Sequence, residues 1–86
     1  MMTKGILVFH YDDREWRLWI GHEAYWLDQG YTFHLLIQQQ YFEAFLEKDT
    51  DWFITLEKEV KVVLHREVVY KVSVDLNQYA KVDDPL

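Results

Sequence analysis

The sequence predicts a small, mainly β domain made of short antiparallel strands. Three apolar segments with strict alternation lie within residues 30–56, and period-two spacing puts every second side chain on one face of a strand. The composition agrees, because aromatic residues make up 17% of the chain and only three Gly and one Pro interrupt it. A chain of 86 residues holds one hydrophobic core, so we expect one domain over residues 1–86.

The first third of the chain predicts a β-hairpin. Residues 5–10 and 15–20 alternate as strands on either side of a polar turn. In the second strand the alternation buries Trp16 and leaves Trp19 on the opposite, polar face. Residues 24–27 are expected to form a short extended piece before the turn that precedes the central strands.

The central segment predicts a three-stranded meander with one apolar face. Opposed residues of antiparallel strands point to the same side, so loop length sets the register. A four-residue connection would place Ile37 opposite Phe42. A five-residue connection would place Leu46 opposite Trp52 and Phe45 opposite Phe53. The inward positions are Phe33, Leu35 and Ile37, then Phe42, Ala44 and Leu46, then Trp52, Ile54 and Leu56.

A helix over residues 38–48 is the alternative for the middle strand. Its Gln, Glu, Ala and Leu residues are good helix formers, and its apolar residues also fit helical spacing. We favour the strand, because strands flank the segment at hairpin distance and no capping residues delimit a helix.

The last third predicts two more strands and a tail. Apolar residues alternate over 60–64 and again over 68–74, with a short break between them. The periodicity fades after residue 74, so we expect an ordered core over about 5–74 and a loose C-terminal tail over 75–86.

Five successive antiparallel strands, kinked before the last, indicate a small half-open barrel of the SH3-like kind, since closure protects sheet edges. The N-terminal β-hairpin would then pack over one open end. A flat meander closed by a helix is the alternative.

The charge balance favours a protein partner over nucleic acid. The net charge is −6, from 15 acidic and 9 basic residues, and the basic residues are dispersed rather than gathered in a patch. An acidic surface either keeps the protein in solution or meets a basic partner. The chain has no Cys and no apolar run long enough for a membrane segment or signal peptide, so a cytoplasmic location is the default expectation.

The sequence offers no motif for catalysis, a metal or a cofactor. None of the four His residues lies two or four positions from another, which leaves no local metal-binding pair. The acidic residues at 47, 49 and 51 lack the glycine and the glutamate of an EF-hand loop. Because nucleophile and phosphate-loop motifs are absent and Ser73 is the only serine, we expect a protein that is not an enzyme.

Outward-facing aromatic residues beside acidic ones are the best candidates for a binding surface. Side chains alternate between the two faces of a strand, which places Phe53, Phe45 and Tyr41 on the face opposite the core. Aromatic residues are enriched in interface hot spots. The alternatives are that the hairpin or the tail covers them, or that they form a homodimer interface. The predicted partner-binding residues are Trp19, Tyr41, Glu43, Phe45, Glu47, Asp49, Asp51 and Phe53.

Three segments, GYTFHLLI, YFEAFLEKDTDWFITL and VYKVSV, resemble a family of small uncharacterised β domains from Firmicutes and their plasmids and phages. The resemblance covers roughly residues 25–74. It implies a mobile-element setting, in which small acidic proteins often bind and block host machinery. We therefore expect a protein-binding module, with an inhibitor of a host nuclease or CRISPR effector as its sharpest form. A small nucleic-acid-binding β-barrel, whose outward aromatic rings stack on bases, is the alternative.

Overall fold

One antiparallel sheet of eight strands forms the protein over residues 2–83, the part that the computed structural model describes. The strands are β1 (Met2–His10), β2 (Glu15–Ile20), β3 (Glu23–Trp26), β4 (Thr32–Ile37), β5 (Gln40–Lys48), β6 (Trp52–Leu56), β7 (Val60–Val63) and β8 (Tyr70–Asp75), and a 3₁₀ turn, η1 (Leu76–Gln78), follows β8. The strand order across the sheet is β3-β2-β1-β8-β4-β5-β6-β7.

The predicted mainly β class is confirmed, and the alternating apolar residues line one face of the sheet, here called the inner face. Leu46 and Ile54 are fully buried there, directly opposite each other. Trp16 of β2 packs edge-on against Phe9 of β1, with 5.5 Å between ring centroids. All these side chains belong to a single hydrophobic cluster. The prediction of a strand rather than a helix for residues 38–48 is also confirmed, because β5 pairs along its length with β4 and β6.

Strand β8 joins the two halves of the sheet. It pairs with β1 over Met2 to Leu7 and with β4 through His34 and Leu35. The N-terminal hairpin therefore extends the sheet, and the expectation that it packs over an open barrel end is wrong. Hairpins form between neighbouring segments of the chain. The pairing of β8 with β1 joins segments far apart in sequence, and the alternation of apolar residues does not specify such a pairing.

The sheet bends strongly but does not close. Over the described residues, β3 and β7 stand at opposite ends of the strand order and do not pair with each other. The indole Nε1–H of Trp52 nevertheless donates a hydrogen bond of 3.2 Å to the carbonyl oxygen of Arg14. Four inter-strand steps separate β6 from β1, about 19 Å on a flat sheet. A bond between them requires the sheet to roll around its inner face.

Both predicted registers in the meander are wrong by two residues, although the faces are right. Ile37 lies opposite Gln40, and Leu46 lies opposite Ile54. The β4–β5 loop contains only Gln38 and Gln39, which have φ values of 50° and 73°. Positive φ at both positions is typical of a tight two-residue hairpin turn, which Asn-Gly usually signals. A shift of two residues preserves the parity, so the apolar face is unchanged.

The predicted loose tail is also wrong for residues 75–83. Tyr79 and Val82 are buried, and the segment after η1 lies along β3. The Trp26 amide donates to the Ala80 carbonyl oxygen at 2.8 Å, and the Val82 amide donates to that of Ala24 at 2.9 Å. The segment thus covers the edge of β3, which would otherwise expose unpaired backbone groups. Residues 84–86 of the predicted tail lie outside the described residues.

Candidate functional site

The predicted partner-binding residues on strands share the face opposite the core, here called the outer face. Trp19 is on β2 and Phe53 is on β6, and the other four strand positions, Tyr41, Glu43, Phe45 and Glu47, are on β5. The structure separates them into two places. Phe45 and Phe53 line one cavity, whereas Trp19 and Tyr41 line another.

The first place, the Phe45–Phe53 patch, lies where the β5–β6 hairpin meets the loop before β4. Its cavity has a volume of about 470 Å³. Phe45 is 42% exposed, a large fraction for an aromatic residue, and Phe53 is half-buried beside it. The cavity is lined by Gln29, Gly30, Phe45, Leu46, Glu47, Lys48, Asp49 and Phe53. The patch thus offers two aromatic rings next to two carboxylates.

The charges of the patch are held by local contacts. Glu47 accepts a hydrogen bond of 2.7 Å from the Thr55 hydroxyl, which fixes its carboxylate above β6. The ammonium group of Lys61 lies 5.4 Å from the centroid of the Phe53 ring, within cation–π range. A ligand that contacts the face of Phe53 must therefore displace Lys61 or bind beside it, while Phe45 needs no such rearrangement.

Two of the predicted acidic residues lie beside the patch rather than in its cavity lining. Glu43 is exposed on β5 between Tyr41 and Phe45, since alternate residues of a strand share a face. Asp51 ends the β5–β6 loop and faces Arg66 at 3.8 Å, an exposed pair in which both side chains are more than half accessible. Such a pair stabilises little.

The second place, the Trp19–Tyr41 groove, has a volume of about 400 Å³. Trp19 lies directly opposite Ile6, and Ile6 lies opposite Lys71 of β8. Lys4, two residues before Ile6 on the same face, completes the rim. The sequence reasoning missed these lysines, because only the pairing of β8 with β1 brings them together.

The sequence reasoning also missed a buried cation on the outer face. Arg17 is 4% exposed and pairs with Asp13, while its guanidinium carbon lies 4.6 Å from the centroid of a Trp26 ring. Among the described residues its Nε atom has no hydrogen-bond partner. The sequence gives no sign of this burial, because Arg17 stands at a polar position of β2 and only the pairing of β2 with β3 places Trp26 over it.

Titratable groups with displaced pKa values lie at the docked tail. The hydrogen bond from Lys81 holds the pKa of Glu23 below its ordinary value, with a further contribution from the Tyr25 hydroxyl. The Lys81 ammonium and the Glu23 carboxylate are 3.1 Å apart. Burial raises the pKa of Tyr79, whose hydroxyl donates to the Thr32 carbonyl oxygen at 3.0 Å. These contacts hold the tail and are not arranged as an acid–base pair in a cleft.

Within residues 2–83, no three His, Asp or Glu side chains come together as a possible metal-binding set. Nor does this part of the chain contain a helix with the length and apolar character needed to cross a membrane. Comparison with models of known protein families, with curated proteins and with solved structures finds no match to the chain.

Proposed function

We propose that this protein is a non-enzymatic interaction module that binds a basic protein partner through the Phe45–Phe53 patch. The observation that carries the proposal is an accessible aromatic ring, Phe45, beside the carboxylates of Glu47 and Asp49 in one cavity. Aromatic anchors in the centre of a contact and charges at its rim are the usual anatomy of a protein interface.

The electrostatic part of the proposal rests on the whole chain as well as the patch. A net charge of −6 attracts a basic surface over a distance and raises the rate of encounter. At the patch itself, Lys48 and Lys61 partly offset the carboxylates. Charge therefore contributes mainly to the rate of association, and the Phe45 ring contributes mainly to the lifetime of the complex.

The sharpest form of the proposal is an inhibitor, carried by a mobile element, of a host nuclease or CRISPR effector in the cytoplasm. It is supported by the resemblance in residues 25–74, the small size and the acidity of the chain. Nucleases and effectors hold a polyanion in a basic channel, which an acidic protein can occupy instead. The SH3-like half-open barrel belongs to this proposal too, supported by the bending of the sheet that the Trp52–Arg14 hydrogen bond demands.

The test is a pull-down from the lysate of a Firmicutes host with immobilised protein, with and without nuclease treatment. We expect a stoichiometric, nuclease-resistant protein whose capture is reduced at least tenfold by Phe45→Ala, since aromatic hot spots cost about 2 kcal/mol or more when truncated. Val68→Ala is the matched control, because Val68 is 43% exposed against 42% for Phe45 and lies in the β7–β8 loop.

A second pair of variants tests the charge. Glu47→Gln should slow association and weaken its salt dependence, whereas Glu67→Gln, the same change at an exposed position of the β7–β8 loop, should not. Capture of nucleic acid alone, abolished by nuclease, would overturn the proposal in favour of a nucleic-acid-binding module. Self-association that is lost on Phe45→Ala would identify the patch as a homodimer interface instead.

A further inference from the structure

The Trp19–Tyr41 groove differs in charge from the rest of the molecule. Among the contacts within residues 2–83, three of the nine basic residues pair with carboxylates and two more lie over aromatic rings. Within residues 2–83, the basic residues with neither contact are Lys4, Arg14, Lys58 and Lys71. Two of these four lie on the rim of one groove in a protein whose net charge is −6.

The two lysines are held close together by the sheet. Lys4 pairs with Ser73, and Lys71 is two residues before Ser73 on the same face of β8. Such diagonal neighbours have Cα atoms about 7–8 Å apart, and lysine stems are long enough to bring both ammonium groups to one anion. Two neighbouring cations that have no carboxylate partner within residues 2–83 suit a doubly charged phosphate monoester better than a single carboxylate.

The aromatic side of the groove lies next to the lysines. Trp19 is opposite Ile6, and Ile6 is opposite Lys71, so two inter-strand steps of about 4.8 Å separate the indole-bearing residue from the cation. Ile6 is 36% exposed and extends the apolar surface beside the half-buried Trp19. The volume of about 400 Å³ lies within the usual range for small-ligand sites, roughly 300–1,000 Å³.

The geometry points to a nucleoside phosphate as the ligand of this groove. The base lies against Trp19 and Ile6, and the phosphate lies between the ammonium groups of Lys4 and Lys71. A flat aromatic group joined through a short spacer to a dianion matches both parts of the site, and base–aromatic stacking tolerates any base. This site is separate from the Phe45–Phe53 patch and does not depend on its function.

The experiment titrates the full-length protein, free of any tag, with adenosine 5′-monophosphate at low salt. Calorimetry gives the affinity, and the NMR signal of the Trp19 indole N–H reports the site. We expect saturable binding with a Kd of about 0.1–1 mM, as suits a small open site. Adenosine alone and inorganic phosphate alone should each bind at least tenfold more weakly, because each meets only half of the site.

Matched charge variants assign the phosphate contacts. Lys4→Gln and Lys71→Gln should each weaken binding about tenfold, since each removes one charge-assisted contact. Lys58→Gln makes the same change in net charge at the β6–β7 turn and should leave the affinity within twofold. Circular dichroism spectra of the three variants should match that of the wild type, because all three side chains are exposed. Phe45→Ala should bind the nucleotide like the wild type.

Several results would overturn the assignment. Absence of saturable binding, adenosine binding as tightly as its phosphate, or equal losses in Lys58→Gln and Lys71→Gln would each do so. Binding of an eight-residue thymidine oligonucleotide, but not of the mononucleotide, would assign the groove to single-stranded nucleic acid. A Trp19 signal unmoved by a nucleotide that does bind would place the ligand elsewhere.

Discussion

Removing the hydroxyl or the ring of Tyr79 should reveal how firmly the C-terminal segment holds the sheet. Tyr79 is 9% exposed, donates to the Thr32 carbonyl oxygen and packs edge-on against Tyr31 with 5.1 Å between ring centroids. Tyr79→Phe removes one hydrogen bond, worth about 1 kcal/mol of unfolding free energy. Tyr79→Ala also removes the buried ring, for a total of about 3–5 kcal/mol.

The assay is urea unfolding followed by tryptophan fluorescence. With a denaturant slope of about 1 kcal/mol/M for a domain of this size, Tyr79→Phe should lower the midpoint by about 1 M. It should also lower the Tm by about 4–8 °C. Tyr11→Phe is the matched control, because Tyr11 is 62% exposed, and it should change the free energy by less than about 0.5 kcal/mol. Tyr79→Phe and Tyr79→Ala both within 0.5 kcal/mol of wild type would refute the docked tail.

The same contact makes the tail sensitive to alkali. Burial raises the folded-state pKa of Tyr79 above its ordinary value of 10.0, so folding favours the neutral phenol. Its stabilising contribution is therefore complete below pH 10 and is lost as the pH rises above that value. Tyr79→Phe has no phenol to ionise, so it should lose less stability than wild type over the same pH interval.

Three further outcomes follow from the structure. Gly5→Ala should destabilise the fold by about 1–3 kcal/mol in urea unfolding, because an added Cβ would lie 2.7 Å from the Trp19 carbonyl oxygen, which the backbone holds in place. Asp13→Asn should cost about 1–2 kcal/mol in the same assay, because the buried Arg17 loses its only carboxylate partner among the described residues while the exposed side of the site stays hydrated. Acid should loosen the tail: the pKa of Glu23 is depressed, so its ion pair contributes fully above pH 4.5 and is lost as the pH falls through the folded-state pKa, which amide exchange along β3 would record.

The alternation of apolar residues predicted which side chains face the core, but it predicted poorly which residues lie opposite each other on neighbouring strands. Leu46 and Ile54 face inward as expected, since parity survives any shift of two residues. The β4–β5 register was wrong because Gln38 and Gln39 form a tight turn with positive φ, which two glutamines do not indicate in a sequence. The β5–β6 register was wrong because pairing continues to Lys48 and Trp52, which leaves a loop of three residues instead of five. The prediction of a loose tail was wrong because Tyr79 and Val82 are buried in a segment whose apolar residues show no strand or helix periodicity.

For the candidate site, too, the sequence predicted the face of each residue but not its neighbours. Alternation along the strands placed Phe45 and Trp19 on the outer face, where both lie. The two residues were expected to share one binding surface. Because β8 lies between β1 and β4, three strands separate β2, which carries Trp19, from β5, which carries Phe45. The lysines at 4 and 71 looked dispersed for the same reason, since residues so far apart in sequence become neighbours only through that pairing.

The two proposed sites meet on the outer face of β5, which contributes Tyr41 to the groove and Phe45 to the patch, so their occupants should compete. Tyr41 and Phe45 are four residues apart on β5, about 13 Å between Cα atoms, with Glu43 between them. A protein interface of standard size covers about 800 Å² on each partner, equivalent to a disc of about 16 Å radius, so a partner centred on Phe45 would reach the Tyr41 end of the groove. Saturating adenosine 5′-monophosphate should therefore weaken capture of the partner, and Lys71→Gln should reduce that effect at the same nucleotide concentration. Capture that is unchanged by a bound nucleotide would mean that the partner approaches from the loop side of the Phe45–Phe53 patch.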